Sequence, residues 1–241
     1  MLSLSNCWKG ICGLETPSAP KQGTWRRRIF QLGSVLIGAI GALFACAYPE
    51  IGRAPAGDHL DRIAKSPNYN TKAKRFVNPR QRAYDEARKG LTMGEFLKAA
   101  WLGKQKRSPD RKLPESKVDL EAFLESDRLA YVWLGHSTIL LRIDGKTILM
   151  DPIFHNAAPL SFLVKRFQPS VLKLEELPPI DLVLISHDHY DHLSRRSIQF
   201  FRNQKTKFIV PLGLSSYLEG WGIASERVTE LDWWQEVEFD G

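Results

Sequence analysis

Cysteine is scarce in this 241-residue chain, and histidine stops early. The three cysteines, Cys7, Cys12 and Cys46, all lie in the first fifth of the sequence with no histidine near them. They build neither a disulfide framework nor a zinc knuckle. The six histidines are at 59, 136, 155, 187, 189 and 192, so the last 49 residues contain none. Acidic residues are sparse in the first half. Residues 1–118 hold 22 Lys and Arg against 9 Asp and Glu, whereas residues 119–241 hold 12 against 18. The basic half carries no interleaved aromatic platform, and no nucleic-acid partner is expected. At 43% hydrophobic residues the composition is that of a globular protein, and the length allows one large domain or slightly more.

One long apolar run is present. Arg26-Arg27-Arg28 precedes Ile29–Ala47, 19 residues without a charge. A basic flank followed by such a run reads as an export signal or a membrane anchor, and it makes membrane association the expectation. Residues 1–28 read as a polar, basic extension. Residues 48–118 read as a basic, proline-containing region with one amphipathic helix near Gln81–Trp101, whose apolar stripe is Phe96, Leu97, Ala100 and Trp101.

From Asp119 the pattern changes to short strands. Leu129–Leu134, Thr138–Ile143 and Lys146–Met150 are rich in β-branched and aromatic residues, and Asp144-Gly145 between the last two predicts a two-residue hairpin turn. Asp181–Ile185 and Phe208–Pro211 are further strands, with a helix capped by Ser194 between them. Leu214–Leu218 reads as a helical turn. Val228–Leu231 and Gln235–Phe239 are the last strand candidates, and Asp240-Gly241 looks like another hairpin turn, as if the chain stopped mid-fold. Strands first and helices interspersed make the class α+β, in a layered αββα arrangement.

The densest chemistry is Ser186-His187-Asp188-His189-Tyr190-Asp191-His192-Leu193, directly behind the apolar strand Leu182–Ile185. Imidazole and carboxylate groups are the ligands that hold zinc, and a buried strand running into a loop is a rigid mount for them. In extended chain, residues two apart point the same way, so His187 and His189 can share one ion while Asp191 and His192 turn to a second. Two ions would form a hydrolytic clamp: zinc lowers the pKa of its water to about 7, and a second ion steadies charge developing on oxygen. Each ion has only two protein ligands in this set, where about three are needed. Asp191 is the catalytic candidate, since it can orient the attacking water as well as bind metal. His136 and Asp188 are candidates for lining the site.

The His-x-His-x-Asp-His pattern resembles that of the metallo-β-lactamase superfamily. Six blocks sharpen the resemblance: Trp133–Thr138, Met150–Phe154, Leu177–Asp181, His187–His192, Val210–Leu214 and Glu230–Trp234. In this order they resemble the N-acyl-phosphatidylethanolamine-hydrolysing phospholipase D family and its bacterial relatives over roughly residues 65–241. The resemblance implies an αββα sandwich, of which 119–241 would be the N-terminal half, and two Zn2+ ions. It implies phosphodiester hydrolysis releasing an N-acylethanolamine and phosphatidic acid. It assigns His187 and His189 to the first zinc, Asp191 and His192 to the second, and Asp151 to support of the ligands from behind, with the remaining ligands beyond Gly241. A lactonase or a sugar-phosphate hydrolase of the same superfamily is the alternative enzyme, and an inactive truncated product is the alternative to any enzyme. Leu43-Phe44-Ala45-Cys46 resembles the lipobox of bacterial lipoproteins. That makes Cys46 a lipidation candidate and the bacterial cell envelope the expected location, by lipoprotein or by uncleaved anchor.

Overall fold

The computed structural model describes residues 22–78, 80–87, 89, 90, 92, 94, 95, 98, 109–156 and 165–239. Cys7, Cys12, the stripe Phe96, Leu97, Ala100 and Trp101, and the Asp240-Gly241 pair lie outside them. The chain divides into two compact units, Met1–Phe44 and Ala45–Gly241.

The described part of the first unit is helical. Helix α1, Gln22–Ile51, extends beyond the expected 29–47 segment at both ends and continues into the second unit. Its stretch Arg27–Ile51 is long and apolar enough to cross a membrane, and none of its most apolar window is buried.

The second unit begins at Ala45. Its N-terminal part contains α2 (Asp58–Ala64), a short antiparallel hairpin of β1 (Tyr69–Asn70) and β2 (Arg75–Phe76), and α3 (Gln81–Ala87). Helix α4 (Leu120–Glu125) follows, capped by the Asp119 carboxylate accepting from Ala122 N at 3.0 Å.

A six-stranded sheet holds the rest together in the order β3 (Ala130–Trp133), β4 (Ile139–Ile143), β5 (Lys146–Met150), β6 (Leu182–Leu184), β7 (Lys207–Pro211) and β8 (Val228–Leu231). The first three are antiparallel neighbours, and β5 to β8 run parallel. At the β4–β5 turn Asp144 and Gly145 have φ of 47° and 72°, the two positive values that a tight hairpin of primed type demands. Gln235–Phe239 forms no strand, a correction to the sequence reading. Strand propensity is realised only where a segment pairs with a neighbour, and Gln235–Phe239 pairs with none among the described residues.

One face of this sheet is dry. Leu140, Leu149, Val183 and Phe208 stand in register across four strands, each 0% exposed. They join Phe123 of α4, Ile198 of α5 (Arg195–Phe200) and Leu218 of α6 (Ser215–Gly220) in one core. Burying each such side chain contributes about 1.5–3 kcal/mol. Ser194 caps α5 by accepting from Ser197 N. On the other face Tyr131 and Trp133 are exposed, and Leu141, Ile148, Leu184 and Ile209 are only half-buried. The described residues therefore form a mixed α/β layer with a central sheet. Because β3 and β5 run in the same direction as β6, their C-terminal ends share one edge with the start of the Ser186–Leu193 loop. Open sheets bind ligands at the carboxyl ends of parallel strands.

Candidate metal centre

Three strand ends supply the site. Strand β5 delivers Asp151, β6 leads through Ile185 into Ser186–His192, and β3 turns at Gly135-His136-Ser137. Asp151 is buried and left-handed, with φ 42°. Its N–H donates to Leu184 O at 2.9 Å, pinning it beside β6. Its carboxylate accepts from Ser186 N at 2.8 Å, Ser186 Oγ at 2.7 Å and His192 Nδ1 at 2.8 Å. With Nδ1–H committed to a carboxylate, the lone pair of His192 Nε2 is the one left for a metal ion, the tautomer control that metal-binding histidines require.

The imidazoles crowd together. The His187 ring lies 4.0 Å from that of His192 and 4.5 Å from that of His189, centroid to centroid. His187 is depressed below its usual pKa by burial and by the neighbouring His192 and His189. Neutral imidazole is the form that binds a cation. Asp191 is half-buried. Burial pushes its carboxyl up, but a hydrogen bond from its own backbone and one from His136 outweigh this, so it lies below the ordinary Asp value. His192 Nε2 is 4.0 Å from Asp191 Oδ2, and His136 Nε2 donates to that same oxygen at 3.0 Å. Among the described residues, His136, Asp191 and His192 are the group whose ligand atoms all lie within 4.8 Å of one another. Close imidazoles around a carboxylate, with a second carboxylate behind, form a donor set that fits a metal ion of the borderline, nitrogen- and oxygen-binding kind.

The structure thus brings His136, Asp151, His187, His189, Asp191 and His192 to one sheet edge. Asp188 is exposed and lines a cleft with His189 and Asp191, and the Tyr217 pKa is raised by burial of the phenol and by the Asp188 charge. Cys46 is an exposed free thiol on α1. Sequence reasoning missed Ser186, whose hydroxyl contacts Asp151, His187 and His192. Its position, first after the buried strand and directly before the histidines, was the available signal.

A cleft of about 1040 Å3 opens beside the site. Its walls include Val118, Phe123, Tyr131, Trp133 and Phe167, and both His136 and Asp191 border it. Arg166 enters it half-buried, its guanidinium lowered in pKa by burial and engaged with the carbonyls of Leu134, Ile153 and Gln168.

A mixed sheet whose strand ends carry a His-x-His-x-Asp-His loop backed by a buried aspartate defines a metallo-β-lactamase-type domain. Residues 146–241 match the beta-lactamase superfamily domain. An uncharacterized protein of Mycobacterium tuberculosis is 42% identical over 119 residues, covering 48% of this chain and 32% of the relative. N-acyl-phosphatidylethanolamine-hydrolyzing phospholipase D 1 of Caenorhabditis elegans is 35% identical over 145 residues, 57% of this chain and 41% of the relative. A metal-dependent hydrolase of Hyperthermus butylicus is 36% identical over 104 residues, 42% and 40% of the two chains. The chain spans about a third to two-fifths of the length of these relatives.

Proposed function

We propose that this chain is the metal-loop part of a zinc-dependent hydrolase that cleaves a phosphodiester of an N-acylated phospholipid or a related lipid. The observation that carries the metal reading is the Asp151–His192 pair, which frees one imidazole nitrogen toward Asp191 inside a cluster of histidines. The choice of lipid is supported by similarity to a phospholipase D of that specificity, and by an apolar cleft bordered by the site with Lys165 and Arg166 among its walls.

His187, His189, Asp191 and His192 would hold the metal, with Asp151 and Ser186 fixing ring orientation. When bound, the ion supplies Lewis-acid activation of water and of a phosphoryl oxygen. Asp191, ionised at neutral pH, orients the attacking water. The water oxygen bonds to phosphorus, the bond from phosphorus to the ethanolamine oxygen breaks, and phosphatidic acid and an N-acylethanolamine result. The exposed apolar helix α1 would bring the site to a membrane, as an uncleaved anchor or through a lipidated Cys46, and the bacterial cell envelope is the location this implies.

The test presents the full chain with zinc and, in parallel, N-acyl-phosphatidylethanolamine in mixed micelles, a simple lactone and a sugar phosphate. Zinc-stimulated release of N-acylethanolamine is expected, abolished by His187→Ala and by His189→Ala. Turnover of the lactone or sugar phosphate alone would move the assignment to those hydrolases. No turnover of any substrate would mark this chain as a non-catalytic product, and full activity in both histidine variants would sink the metal assignment.

A further inference from the structure

The block Trp133–Thr138 has no role in the ligand set above, yet it makes two hydrogen bonds to Asp191. His136 Nε2 donates to Asp191 Oδ2 at 3.0 Å, and Ser137 Oγ donates to the Asp191 main-chain carbonyl at 3.1 Å. One turn therefore grips both the side chain and the backbone of a residue more than 50 positions away. We propose that the β3–β4 turn is a clasp for Asp191, in which His136 and Ser137 are positioning residues that fix its carboxylate for the metal ion; this rests on the metal-dependent reading above.

The turn is built to hold a costly shape. Gly135 and His136 are both left-handed, with φ of 92° and 50°. The φ of 92° at position 135 would strain any residue with a side chain, and a Cβ there would also displace Arg166 Nη2, 2.8 Å away. Histidine in the left-handed region costs about 1 kcal/mol and persists only where the surroundings over-determine it. They do so here. Thr138 N donates to Gly135 O at 3.1 Å, Leu134 N to Thr138 O at 2.9 Å, and Trp133 Nε1 to His136 O at 2.8 Å. Arg166 clamps the Leu134 carbonyl at 3.3 Å and the Ile153 carbonyl as well. The left-handed bend aims the His136 ring across the sheet edge at Asp191. With Oδ2 engaged, the carboxylate is held in one rotamer, and ligands pre-oriented by an outer partner bind metal more tightly, by about 10–100-fold.

The experiment measures zinc affinity by chelator competition and the Co(II) absorption spectrum for the full chain and three variants. His136→Gly removes the ring without backbone strain; His136→Gln restores a donor of similar reach; Ser137→Ala removes the second grip. We expect His136→Gly to weaken zinc about 10–100-fold and alter the Co(II) bands at an unchanged Tm, His136→Gln to recover most of both, and Ser137→Ala to cost about 3-fold. Unchanged affinity in His136→Gly would overturn the clasp, as would a parent chain that binds no zinc. Failure of glutamine to rescue would make His136 a ligand itself and also overturn it. Absence of phosphodiester hydrolysis with the expected affinity pattern would defeat the proposed reaction and leave the clasp standing.

Discussion

Asp151 and His136 follow β5 and β3, two strands that run in the same direction on either side of β4, and they hold the metal loop in different ways. Both follow a strand pointing to the same sheet edge, and both are left-handed, at φ 42° and 50°. Asp151 is buried and accepts three hydrogen bonds from two residues of the loop. His136 is half-exposed and makes one side-chain bond, to Asp191. A polar group cut off from water has no substitute partner when its own is removed, whereas an exposed one falls back on solvent. The buried member should therefore support the fold and the metal together, and the exposed member the metal alone.

That contrast can be broken from either side. The largest effect is expected for Asp151→Asn. Asparagine tolerates the left-handed backbone but loses a carboxylate acceptor facing Ser186 and His192, so unfolding stability should fall by about 2–3 kcal/mol in urea titration and zinc affinity should fall with it. A stability change as small as that of a surface substitution would refute the buried role.

Next comes Thr138→Val. The Thr138 hydroxyl is buried, donates to Asp151 O at 2.7 Å and accepts from Ile153 N at 2.9 Å, fixing the bend that aims Asp151. Losing it at constant shape should cost about 1–2 kcal/mol, read by denaturant melts.

A third carboxylate, Glu230, lies outside the metal cluster and sharpens the comparison by supplying burial without metal chemistry. Burial pushes the Glu230 carboxyl up, but hydrogen bonds from the Ser215 hydroxyl and backbone, Gly213 N and Arg62 outweigh it and hold it below the usual value of 4.5. A carboxyl whose folded pKa is depressed binds fewer protons folded than unfolded. Its stabilisation is whole above pH 4.5 and is lost as the pH falls through the lower folded pKa. Glu230→Gln should therefore flatten the acid limb of the stability profile by about 1 kcal/mol while leaving zinc affinity unchanged. The smallest stability effect, under about 0.5 kcal/mol, is expected for His136→Gly, measured in the same melts. A loss there as large as that of Asp151→Asn would erase the distinction between the two holds.

Strand sequences announced themselves where alternation was strong. Lys146–Met150 and the Asp144-Gly145 turn were legible because a two-residue hairpin needs only local chemistry, and Ser194 was legible as a cap for the same reason. Helix α2 and the β1–β2 hairpin were not, since both are short and are held by distant partners. Arg62 of α2 reaches Glu230, and Asp232 accepts from Ser66 and Asn68 just ahead of β1. The Asp151–His192 contact was readable only through a family resemblance, because 41 residues separate the pair.

By itself the sequence determined the ligand chemistry, because the residue types within six positions of one loop suffice to define it, and it determined the apolar α1 segment, because length and composition alone do so. Only the tertiary structure decided which groups face each ligand. The registers of β3, β5 and β6 bring Gly135–Ser137, Asp151 and Ser186–His192 to one edge, and such long-range adjacency is a property of strand pairing that no local pattern encodes.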